Sequence, residues 1–177
     1  MTELFSVEDK VIVITGATGV LGRSMVRHFA REGAKIVLLG RDRKVGDEQV
    51  GEVEREGGSA IFLATDVTDK AVVERNHADI MRTYGRIDVL INGAGGNMPG
   101  ATIAPDQTLF DLDVEAMRRV VDLNLFGTVI PTLVFARAMV EQGSGSIINI
   151  SSESALRPLT RVAGYGVAKA AVVKFTK

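Results

Sequence analysis

Residues 11–22 of this chain read VIVITGATGVLG, and they decide its fold. The run from Val11 to Thr15 is rich in β-branched residues and apolar on both faces, which predicts a buried strand of a parallel sheet. Glycines follow at positions 16, 19 and 22. After them, apolar residues recur at helical spacing as far as Gly33, a residue that suits a helix end. The stretch therefore predicts a strand, a glycine-rich turn and an amphipathic helix in direct succession.

The same alternation of strand and helix continues along the chain. Further strands are predicted over residues 35–39, 60–64, 88–91 and 146–150, and helices over residues 43–56, 69–83 and 114–141. Strands that alternate with helices form parallel sheets joined by right-handed crossovers. The sequence shows no internal repeat and no change of composition that would mark a linker. The expected fold is therefore α/β, a doubly wound parallel sheet of the Rossmann type, built as a single domain over residues 1–177.

The composition of the chain narrows the function classes. Of its 177 residues 46% are hydrophobic and the formal net charge is -1, so it can bury a core and offers no field that would attract nucleic acid or an acidic membrane. It contains no cysteine, and His28 and His77 lack partners at metal-ligand spacing, so no metal site is predicted. The chain begins with acidic residues where a secretory signal is basic, and no apolar run approaches the ~18 residues of a membrane span. We expect a cytoplasmic protein that acts on a small molecule.

The predicted helix over residues 114–141 is long and apolar around most of its circumference. Pro131 lies within it and should bend it, because proline removes a helical hydrogen bond. Such a helix is either fully internal or covered by the sheet on one side and by a partner subunit on the other. The second alternative predicts a homo-oligomer, a dimer or a tetramer, formed through the helices at residues 114–141 and 161–177.

The glycine-rich turn has the form that holds a dinucleotide. At a strand-to-helix turn, backbone N–H groups and the positive end of the helix dipole can bind a pyrophosphate, and glycines let the phosphates approach. A turn that only packs a helix on a strand would also use glycines, but the flanking strand and amphipathic helix favour nucleotide binding. The residues predicted to bind the cofactor here are Gly16, Thr18, Gly19, Val20, Leu21 and Gly22.

The end of the second strand bears on the choice between NAD and NADP. In NAD-binding folds an acidic residue about 20 positions after the glycine turn grips the ribose hydroxyls. In this chain that position falls near Gly40, and Arg41 follows with Arg43 and Lys44 close by. The arrangement leans toward NADP, whose extra phosphate a cation would bind, whereas an inward-turned Asp42 would reverse the preference. A solvated, charged helix start would have the same sequence.

Two further turns lie where the same cofactor would pass. Asp66-Val67, after the third strand, could contact the adenine amino group, or Asp66 could cap the helix that begins near Asp69. Residues 92–96 read NGAGG and end the fourth strand with small residues at the carboxyl edge of the sheet. The cofactor-binding residues predicted beyond the glycine turn are therefore Arg41, Asp66, Val67, Asn92, Ala94 and Gly95.

A serine, a tyrosine and a lysine follow the fifth strand at spacings that suit hydride-transfer chemistry. Tyr165 and Lys169 are four residues apart, which places a phenol and an ammonium on one face of a helix. The cation favours the phenolate, and an alcohol that loses hydride to a nicotinamide must also lose its hydroxyl proton to a base. Ser152 could hold the substrate oxygen beside the phenol. The alternative is an exposed tyrosine and lysine pair without chemistry.

Together these motifs make the chain resemble the short-chain dehydrogenase/reductase family over essentially its whole length. The residues that carry the resemblance are the glycine turn, Asp66-Val67, residues 92–95, Asn124, residues 147–152, Tyr165 and Lys169. It implies that Tyr165 is the catalytic acid/base, that Lys169 assists it, and that Ser152 orients the substrate. It also implies that Tyr165 and Lys169 both bind the cofactor, Lys169 at the nicotinamide ribose. It also implies that Asn124 holds a water in a proton relay; the alternative is a helix-bend residue that meets only water.

Two departures from the family pattern leave open which branch of the family the chain resembles. Val20 replaces the middle glycine of the common TGxxxGxG turn, which gives the TGxxGxxG form of the extended, epimerase-like branch, and Gly93 replaces an asparagine. The serine-containing fifth strand resembles the shorter, single-domain dehydrogenases more closely. The resemblance implies an NAD(P)-dependent oxidoreductase that interconverts a secondary alcohol and a ketone. The alternatives are a nucleotide-sugar epimerase or dehydratase and a non-catalytic dinucleotide-binding protein.

Residues 92–97, 122–128 and 154–161 resemble more narrowly the sugar-acid dehydrogenases of this family, of the D-mannonate/D-fructuronate oxidoreductase kind. That resemblance implies a sugar acid or a polyol as substrate. Arg157 and Arg161 lie in the segment that should border the substrate, so one of them could clamp a carboxylate. A place on the surface or at a subunit contact is the commoner role for an arginine.

The number of predicted strands indicates a longer protein. A six-stranded doubly wound sheet has one strand more than the five predicted here. The family resemblance implies a further strand-helix unit and a substrate-covering loop after the tyrosine helix. We expect the chain to be truncated after that helix, with the C-terminal strand and the substrate lid missing.

Overall fold

The structure is a computed structural model that describes residues 5–177. Its strands are β1 (Val11–Thr15), β2 (Lys35–Gly40), β3 (Ser59–Ala64), β4 (Val89–Asn92) and β5 (Ser146–Asn149). Its α-helices are α1 (Val20–Arg31), α2 (Arg43–Arg55), α3 (Lys70–Tyr84), α4 (Val114–Val121), α5 (Gly127–Gln142) and α6 (Ala163–Phe175). The predicted strands are all present and differ from their predicted bounds by one residue at most.

The five strands form one parallel sheet in the order β3-β2-β1-β4-β5. In β1, Ile14 pairs with Leu38 of β2 on one side and with Ile91 of β4 on the other. The chain order reverses between β1 and β4, because β2 and β3 follow β1 in one direction and β4 and β5 continue in the other. This is the doubly wound arrangement predicted from the sequence, and its crevice lies at the carboxyl ends of β1 and β4.

Helices cover both faces of the sheet, and alternate residues of β1 face opposite layers. Val11 and Val13 pack into a cluster with Phe135 of α5 and Ile80 of α3. Their neighbours Ile12 and Ile14 pack into a second cluster that includes Val26 of α1 and Val53 of α2. All five residues of β1 are buried, as expected for the central strand of a sheet covered on both faces.

Aspartates cap the start of three helices, and glycines close the end of two. Asp42, Asp69 and Asp113 each accept a hydrogen bond from a backbone N–H in the first turn of α2, α3 and α4, respectively. Gly85 and Gly143 close α3 and α5 with φ of 71° and 69°, a left-handed conformation that glycine adopts without strain. The local sequence therefore specifies where α2, α3 and α4 begin and where α3 and α5 end.

The segment at residues 114–142 is one continuous helix in which a π-helical turn, Asp122–Phe126, joins α4 to α5. The irregularity that the sequence assigns to Pro131 therefore lies upstream of it, and α5 continues through the proline. By length and composition this helix could cross a membrane, which the sequence analysis did not recognise. Val134, Phe135 and Ala138 nevertheless pack in the core, as in the central helix of a globular domain.

A buried carboxylate fixes the amino ends of β1 and β4. Asp88 is 8% exposed; its side chain accepts hydrogen bonds from the N–H of Val11 at 2.9 Å and from Nε of Arg86 at 2.9 Å. Burial raises the pKa of Asp88, but the hydrogen bonds from Arg86 and Val11 and the charges of Arg86 and Lys10 outweigh it, so the pKa lies below its ordinary value.

Replacing Asp88 by asparagine is expected to lower the free energy of unfolding by about 2 kcal/mol at pH 7, since charge-assisted hydrogen bonds are lost. A carboxylate whose pKa is depressed by folding stabilises the protein above its unfolded pKa of about 3.9 and loses that contribution as the pH falls through this region. The difference between the two proteins should therefore shrink as acid is added. Urea unfolding at several pH values tests this, with the exposed Asp47→Asn as control; a difference independent of pH would contradict it.

Candidate active site

A cleft of about 580 Å³ opens at the carboxyl edge of the sheet, where the turns after β1 and β4 line it. A volume of this size suits a small-molecule or cofactor site. Of the residues predicted to bind a cofactor, those that line it are Gly16, Thr18, Gly19, Val20, Leu21, Gly22, Arg41, Asp66, Val67, Ala94 and Gly95. The structure thus brings four separated segments of the sequence to one surface.

The glycine turn leaves room for a ligand because side chains are excluded from it. Gly16 has a φ of 70°, and a Cβ there would lie 2.8 Å from the backbone N of Ala94. A Cβ on Gly22 would lie 2.3 Å from the carbonyl oxygen of Gly16. Gly19 precedes α1 without a side-chain cap, so its helix begins with N–H groups that no side chain satisfies. Such a helix start fits the pyrophosphate of a dinucleotide.

Replacing Gly22 by alanine is expected to weaken binding of NADH by at least about ten-fold, because the new methyl group must displace the turn at Gly16. The control is Gly51→Ala on α2, where a Cβ would meet nothing closer than Nη1 of Arg55 at 3.6 Å. Titration of NADH fluorescence measures both dissociation constants. Equal affinity of the two variants would show that the turn does not hold the cofactor.

The end of β2 presents a cation and no inward carboxylate. Arg41 is exposed and lines the cleft, whereas Asp42 uses its carboxylate to accept from the N–H of Val45 at 3.1 Å. A Cβ on Gly40 would lie 2.8 Å from Oγ1 of Thr18, so the glycine is required by close packing. Asp42 therefore caps α2 in this structure and does not turn into the cleft.

Asp66 lines the cleft, and hydrogen bonds from Thr68 in the same turn hold its side chain. Its Oδ1 accepts from Oγ1 of Thr68 at 2.6 Å and from the N–H of Thr68 at 2.9 Å. These hydrogen bonds, with a smaller contribution from the charge of Arg41, lower the pKa of Asp66 although partial burial opposes them. The cap of α3 is Asp69, which accepts from the N–H of Val72. The carboxylate of Asp66 is thus ionised at the edge of the cleft and does not cap the helix.

Asn92 lies beneath the cleft, and its side chain does not reach the lining. It is 1% exposed, and its Nδ2 donates to Oγ1 of Thr132 at 2.9 Å and to Oδ1 of Asn149 at 2.8 Å. Above it, Oγ1 of Thr15 accepts from the N–H groups of Gly93 and Ala94, each at 3.1 Å. The Asn92 side chain thus joins β4 to α5 and β5, and Thr15 fixes the turn that follows β4.

Lys169 lies beside Tyr165, and both belong to α6. Lys169 is 4% exposed, its Nζ donates to the carbonyl oxygen of Ile150 at 2.8 Å, and it lies 5.7 Å from the centroid of the Tyr165 ring. Burial lowers the pKa of Lys169. A Cβ on Gly95 would lie 3.2 Å from Nζ, so the turn after β4 approaches the ammonium closely. The pair is therefore not an exposed tyrosine and lysine.

Asn124 lies in the π-helical turn and is fully buried. Its Nδ2 donates to the carbonyl oxygens of Gly96 and Val120, each at 2.8 Å, and its Oδ1 accepts from the N–H of Gly96 at 3.0 Å. The alternative of a bend residue that meets only water is therefore wrong. The side chain instead joins the long helix to the turn after β4, directly beside Gly95.

Ser152 is half-buried after β5 and begins a short 3-10 turn. Its Oγ accepts from the N–H of Ser154 at 3.2 Å and from Oγ of Ser154 at 2.9 Å. The hydroxyl hydrogen of Ser154 is thus directed at Ser152, which leaves the hydrogen of Ser152 for another acceptor. Ser154 is 6% exposed, and the sequence analysis did not select it.

Several further lining residues were not among the predicted site residues. They are Leu39, Thr65, Thr68, Met98, Arg119, Asp122 and Leu123. Thr65 and Thr68 flank Asp66-Val67 and could have been found as its neighbours. Arg119, on α4, lines the cleft, and only the tertiary structure shows this. Within residues 5–177, no group of three His, Asp or Glu side chains is placed to hold a metal.

Comparison with known proteins agrees with this geometry. A model of the short chain dehydrogenase family matches residues 10–177. The chain belongs to the short-chain dehydrogenase family. The match includes the glycine turn, the turn after β4, the serines after β5 and the tyrosine-lysine pair of α6.

The relatives of this short-chain dehydrogenase chain are longer than it is. UxuB of Bacillus subtilis, an uncharacterized oxidoreductase, is 39% identical over 175 residues, which are 94% of this chain and 63% of that protein. A Haemophilus protein solved with bound NAD, provisionally assigned as a D-mannonate oxidoreductase, superposes with a TM-score of 0.90 at 38% identity; the match covers 97% of this chain and 65% of that one. NAD+-bound xylitol dehydrogenase superposes with a TM-score of 0.88 at 29% identity over 96% of this chain and 63% of that one.

Proposed function

We propose that this protein is an NAD(P)-dependent oxidoreductase that interconverts a secondary alcohol and a ketone with Tyr165 as the acid/base. The observation that carries the proposal is the buried ammonium of Lys169, 5.7 Å from the Tyr165 ring centroid and beside the turn at Gly95 that lines the cleft. A buried cation without a carboxylate partner is costly, and such a group is a functional-site candidate.

Each residue of the site has a separate role in the proposed reaction. A nicotinamide cofactor bound in the cleft would supply the hydride acceptor or donor. In the oxidation direction, the Tyr165 phenolate takes the proton of the substrate hydroxyl as the carbon–hydrogen bond gives up its hydride; in the reduction direction, the phenol returns that proton to the carbonyl oxygen. The ammonium of Lys169, 5.7 Å from the centroid of the Tyr165 ring, stabilises the negative charge that develops beside it during the transfer. Ser152 donates its free hydroxyl hydrogen to the substrate oxygen and holds it near the phenol.

The cleft fits the cofactor on features of its own. Gly16 and Gly22 let the turn pack closely on neighbouring backbone, and the first N–H groups of α1 lack a side-chain cap. The test is titration of the purified protein with NADH and NADPH, followed by turnover of D-mannonate and xylitol with each oxidised cofactor at 340 nm. The chain contains no tryptophan, so cofactor fluorescence is the signal. Absence of binding to both cofactors would overturn the proposal.

We propose NADP as the preferred cofactor, because Gly40 occupies the acidic position of NAD-binding folds and Arg41 follows it. The two structural neighbours described above carry NAD, so this preference would separate the protein from them. Replacing Arg41 by alanine is expected to weaken NADPH binding by about ten-fold and to leave NADH binding within about two-fold. The control is Arg43→Ala, because the Arg43 guanidinium lies over the Phe62 ring, with its Cζ 5.7 Å from the ring centroid. A loss shared equally by both cofactors would contradict the assignment.

We propose a sugar acid or a polyol as the substrate. The resemblance of residues 92–97, 122–128 and 154–161 to sugar-acid dehydrogenases supports it, as do the assignment of the Haemophilus neighbour and the name of xylitol dehydrogenase. The extended-branch alternative rests on the glycine turn alone. The non-catalytic alternative leaves the buried Lys169 without a purpose. The comparison of kcat/KM for D-mannonate and xylitol decides between the two substrate classes.

We also propose that the protein is a cytoplasmic homo-oligomer, a dimer or a tetramer. Apolar side chains on α5 and α6 are exposed, among them Leu133 at 58%, Val140 at 79% and Val167 at 55%. Exposed apolar surface of this kind is typical of subunit contacts. Light scattering of the purified protein measures its mass in solution, and a monomer would overturn this part of the proposal.

A further inference from the structure

Two loops flank the Tyr165 side of the site, and Arg161 joins them. One loop follows β4 over residues 93–113, and the other follows β5 over residues 150–162. The carbonyl oxygen of Arg161 accepts from the N–H of Ile103 at 3.0 Å. Its Nη2 donates to the carbonyl oxygen of Pro105 at 3.3 Å. Both the backbone and the side chain of one residue thus bind the same short segment of the other loop.

The backbone of Arg161 is held in an unfavourable conformation. Its φ is 67°, and among the described residues other than glycine only Asp9 also has a positive φ. A residue with a long side chain pays free energy to enter this left-handed region and persists there only where its surroundings hold it. The hydrogen bond from Ile103 is formed by the carbonyl group of the strained residue itself. The strain is therefore coupled to the contact between the loops.

The segment that Arg161 holds forms part of the wall beside Tyr165. Ala101, two residues before Ile103, is fully buried and packs with Ala116 and Val120 of α4. The Tyr165 side chain packs against this same cluster. Displacement of the segment around Ala101 would therefore remove one support of the catalytic ring.

The start of α6 depends on the same residue. Helix α6 begins at Ala163, and Val162 at its N-cap forms no side-chain cap. Tyr165 lies in the first turn of this helix. Since no capping side chain fixes the start of α6, the left-handed turn at Arg161 determines where the helix begins and hence where the phenol points.

We propose that Arg161 is a positioning residue whose left-handed backbone directs its carbonyl oxygen to the N–H of Ile103, which clips the loop after β4 to the start of α6 and aligns Tyr165. The proposal rests on the proposed function, because it assumes that Tyr165 is the acid/base. It differs from a role of Arg161 as a carboxylate ligand, since the guanidinium points to Pro105. A positioning role affects every substrate, whereas a carboxylate ligand affects only acids.

Three variants separate these roles. Arg161→Val opposes the left-handed backbone, because β-branched residues avoid it. Arg161→Asn tolerates that backbone and keeps the carbonyl bond to Ile103 while removing the guanidinium. Asp9→Val places the same conformational conflict before β1, at the opposite edge of the sheet from the site, and is the matched control.

Hydrogen exchange of the Ile103 amide tests the clip without any substrate. We expect its protection to fall at least about ten-fold in Arg161→Val, and to stay within about three-fold of wild type in Arg161→Asn and Asp9→Val. Unchanged protection of Ile103 in Arg161→Val would overturn the clip. Amides of β1 in the same Arg161→Val sample report whether the fold as a whole is intact.

Kinetics with D-mannonate and with xylitol test the effect on Tyr165. Arg161→Val is expected to lower kcat about 10- to 100-fold on both substrates, with the Kd for NADH within about two-fold and Arg161→Asn near wild type. A loss confined to D-mannonate in both variants would overturn positioning and make Arg161 a carboxylate ligand. If the wild-type protein turned over neither substrate, the proposed function would fail, and the proposed alignment of Tyr165 for catalysis would fail with it. Hydrogen exchange at Ile103 would still decide whether the clip exists.

Discussion

Replacing Tyr165 by phenylalanine is expected to lower kcat by about 10³-fold while the Kd for NADH stays within about two-fold of wild type. The substitution removes only the hydroxyl group, which is the proposed proton acceptor and donor. The ring remains, and it packs against the cluster that contains Ala101, Ala116 and Val120. Gly16 and Gly22 line the cleft whereas Tyr165 does not, so the substitution leaves the proposed phosphate-binding turn untouched. Chemistry and cofactor binding should therefore separate cleanly.

The matched control is Tyr84→Phe, which removes the only other tyrosine hydroxyl of the chain. Tyr84 ends α3 and packs against the core, away from the cleft. Turnover at 340 nm gives kcat for both variants, and titration of NADH fluorescence gives both Kd values. Turnover of Tyr165→Phe at more than about a tenth of the wild-type rate would sink the assignment of the tyrosine as acid/base. A large rise in Kd would instead show that the phenol mainly binds the cofactor.

The sheet could be predicted from the sequence because each strand is a compact apolar run between clear helix signals. Val11–Thr15 is buried throughout, as its two-sided apolar pattern requires. The glycine turn was equally readable, because its glycines follow β1 at close spacing and a Cβ on Gly22 would meet the nearby carbonyl of Gly16. Tyr165 and Lys169 could be paired because four residues of helix bring them to one face. These features depend on short-range geometry, which a sequence records directly.

Features that depend on contacts between distant segments could not be predicted. Asn92 belongs to a motif that resembles a cofactor contact, yet its amide is used by Thr132 and Asn149, 40 and 57 residues away in the chain. The π-helical turn around Asn124 forms where the side chain meets Gly96, 28 residues earlier. The left-handed backbone of Arg161 likewise has no signal in a loop without glycine at that position. In each case the partner that decides the conformation is remote in sequence.

Lys169 should reveal a conflict between stability and function. The Lys169 side chain is 4% exposed. Of its three N–H groups, one donates to the carbonyl oxygen of Ile150, and residues 5–177 provide no second acceptor. No carboxylate within residues 5–177 forms an ion pair with it in the structure. Taking an ammonium out of water without a counter-charge costs free energy of folding. The fold therefore carries a group that packing alone would not select.

Replacing Lys169 by methionine is expected to lower kcat by about 10²- to 10³-fold and to raise the free energy of unfolding at pH 7 by about 1 kcal/mol. The first effect follows because the positive charge beside Tyr165 disappears. The second follows because methionine fills a similar volume without a desolvated charge. The Kd for NADH should also rise, since the family resemblance gives Lys169 a contact with the nicotinamide ribose. Lys174→Met, an exposed position of the same helix, is the control for both measurements.

The pH dependence of the gain in stability distinguishes charge burial from simple packing. Burial lowers the pKa of Lys169 from its ordinary value of 10.5, so the unfolded chain holds this proton to higher pH than the folded protein does. The cost of burying the ammonium is therefore present in full below the folded-state pKa, and it diminishes as the pH rises toward 10.5. Urea unfolding at pH 7 and near pH 10 should show the advantage of Lys169→Met shrinking with pH. A methionine variant less stable than wild type at pH 7, or an advantage equal at both pH values, would mean that the ammonium is not a cost to the fold, and the argument that it is retained for chemistry would lose its physical basis.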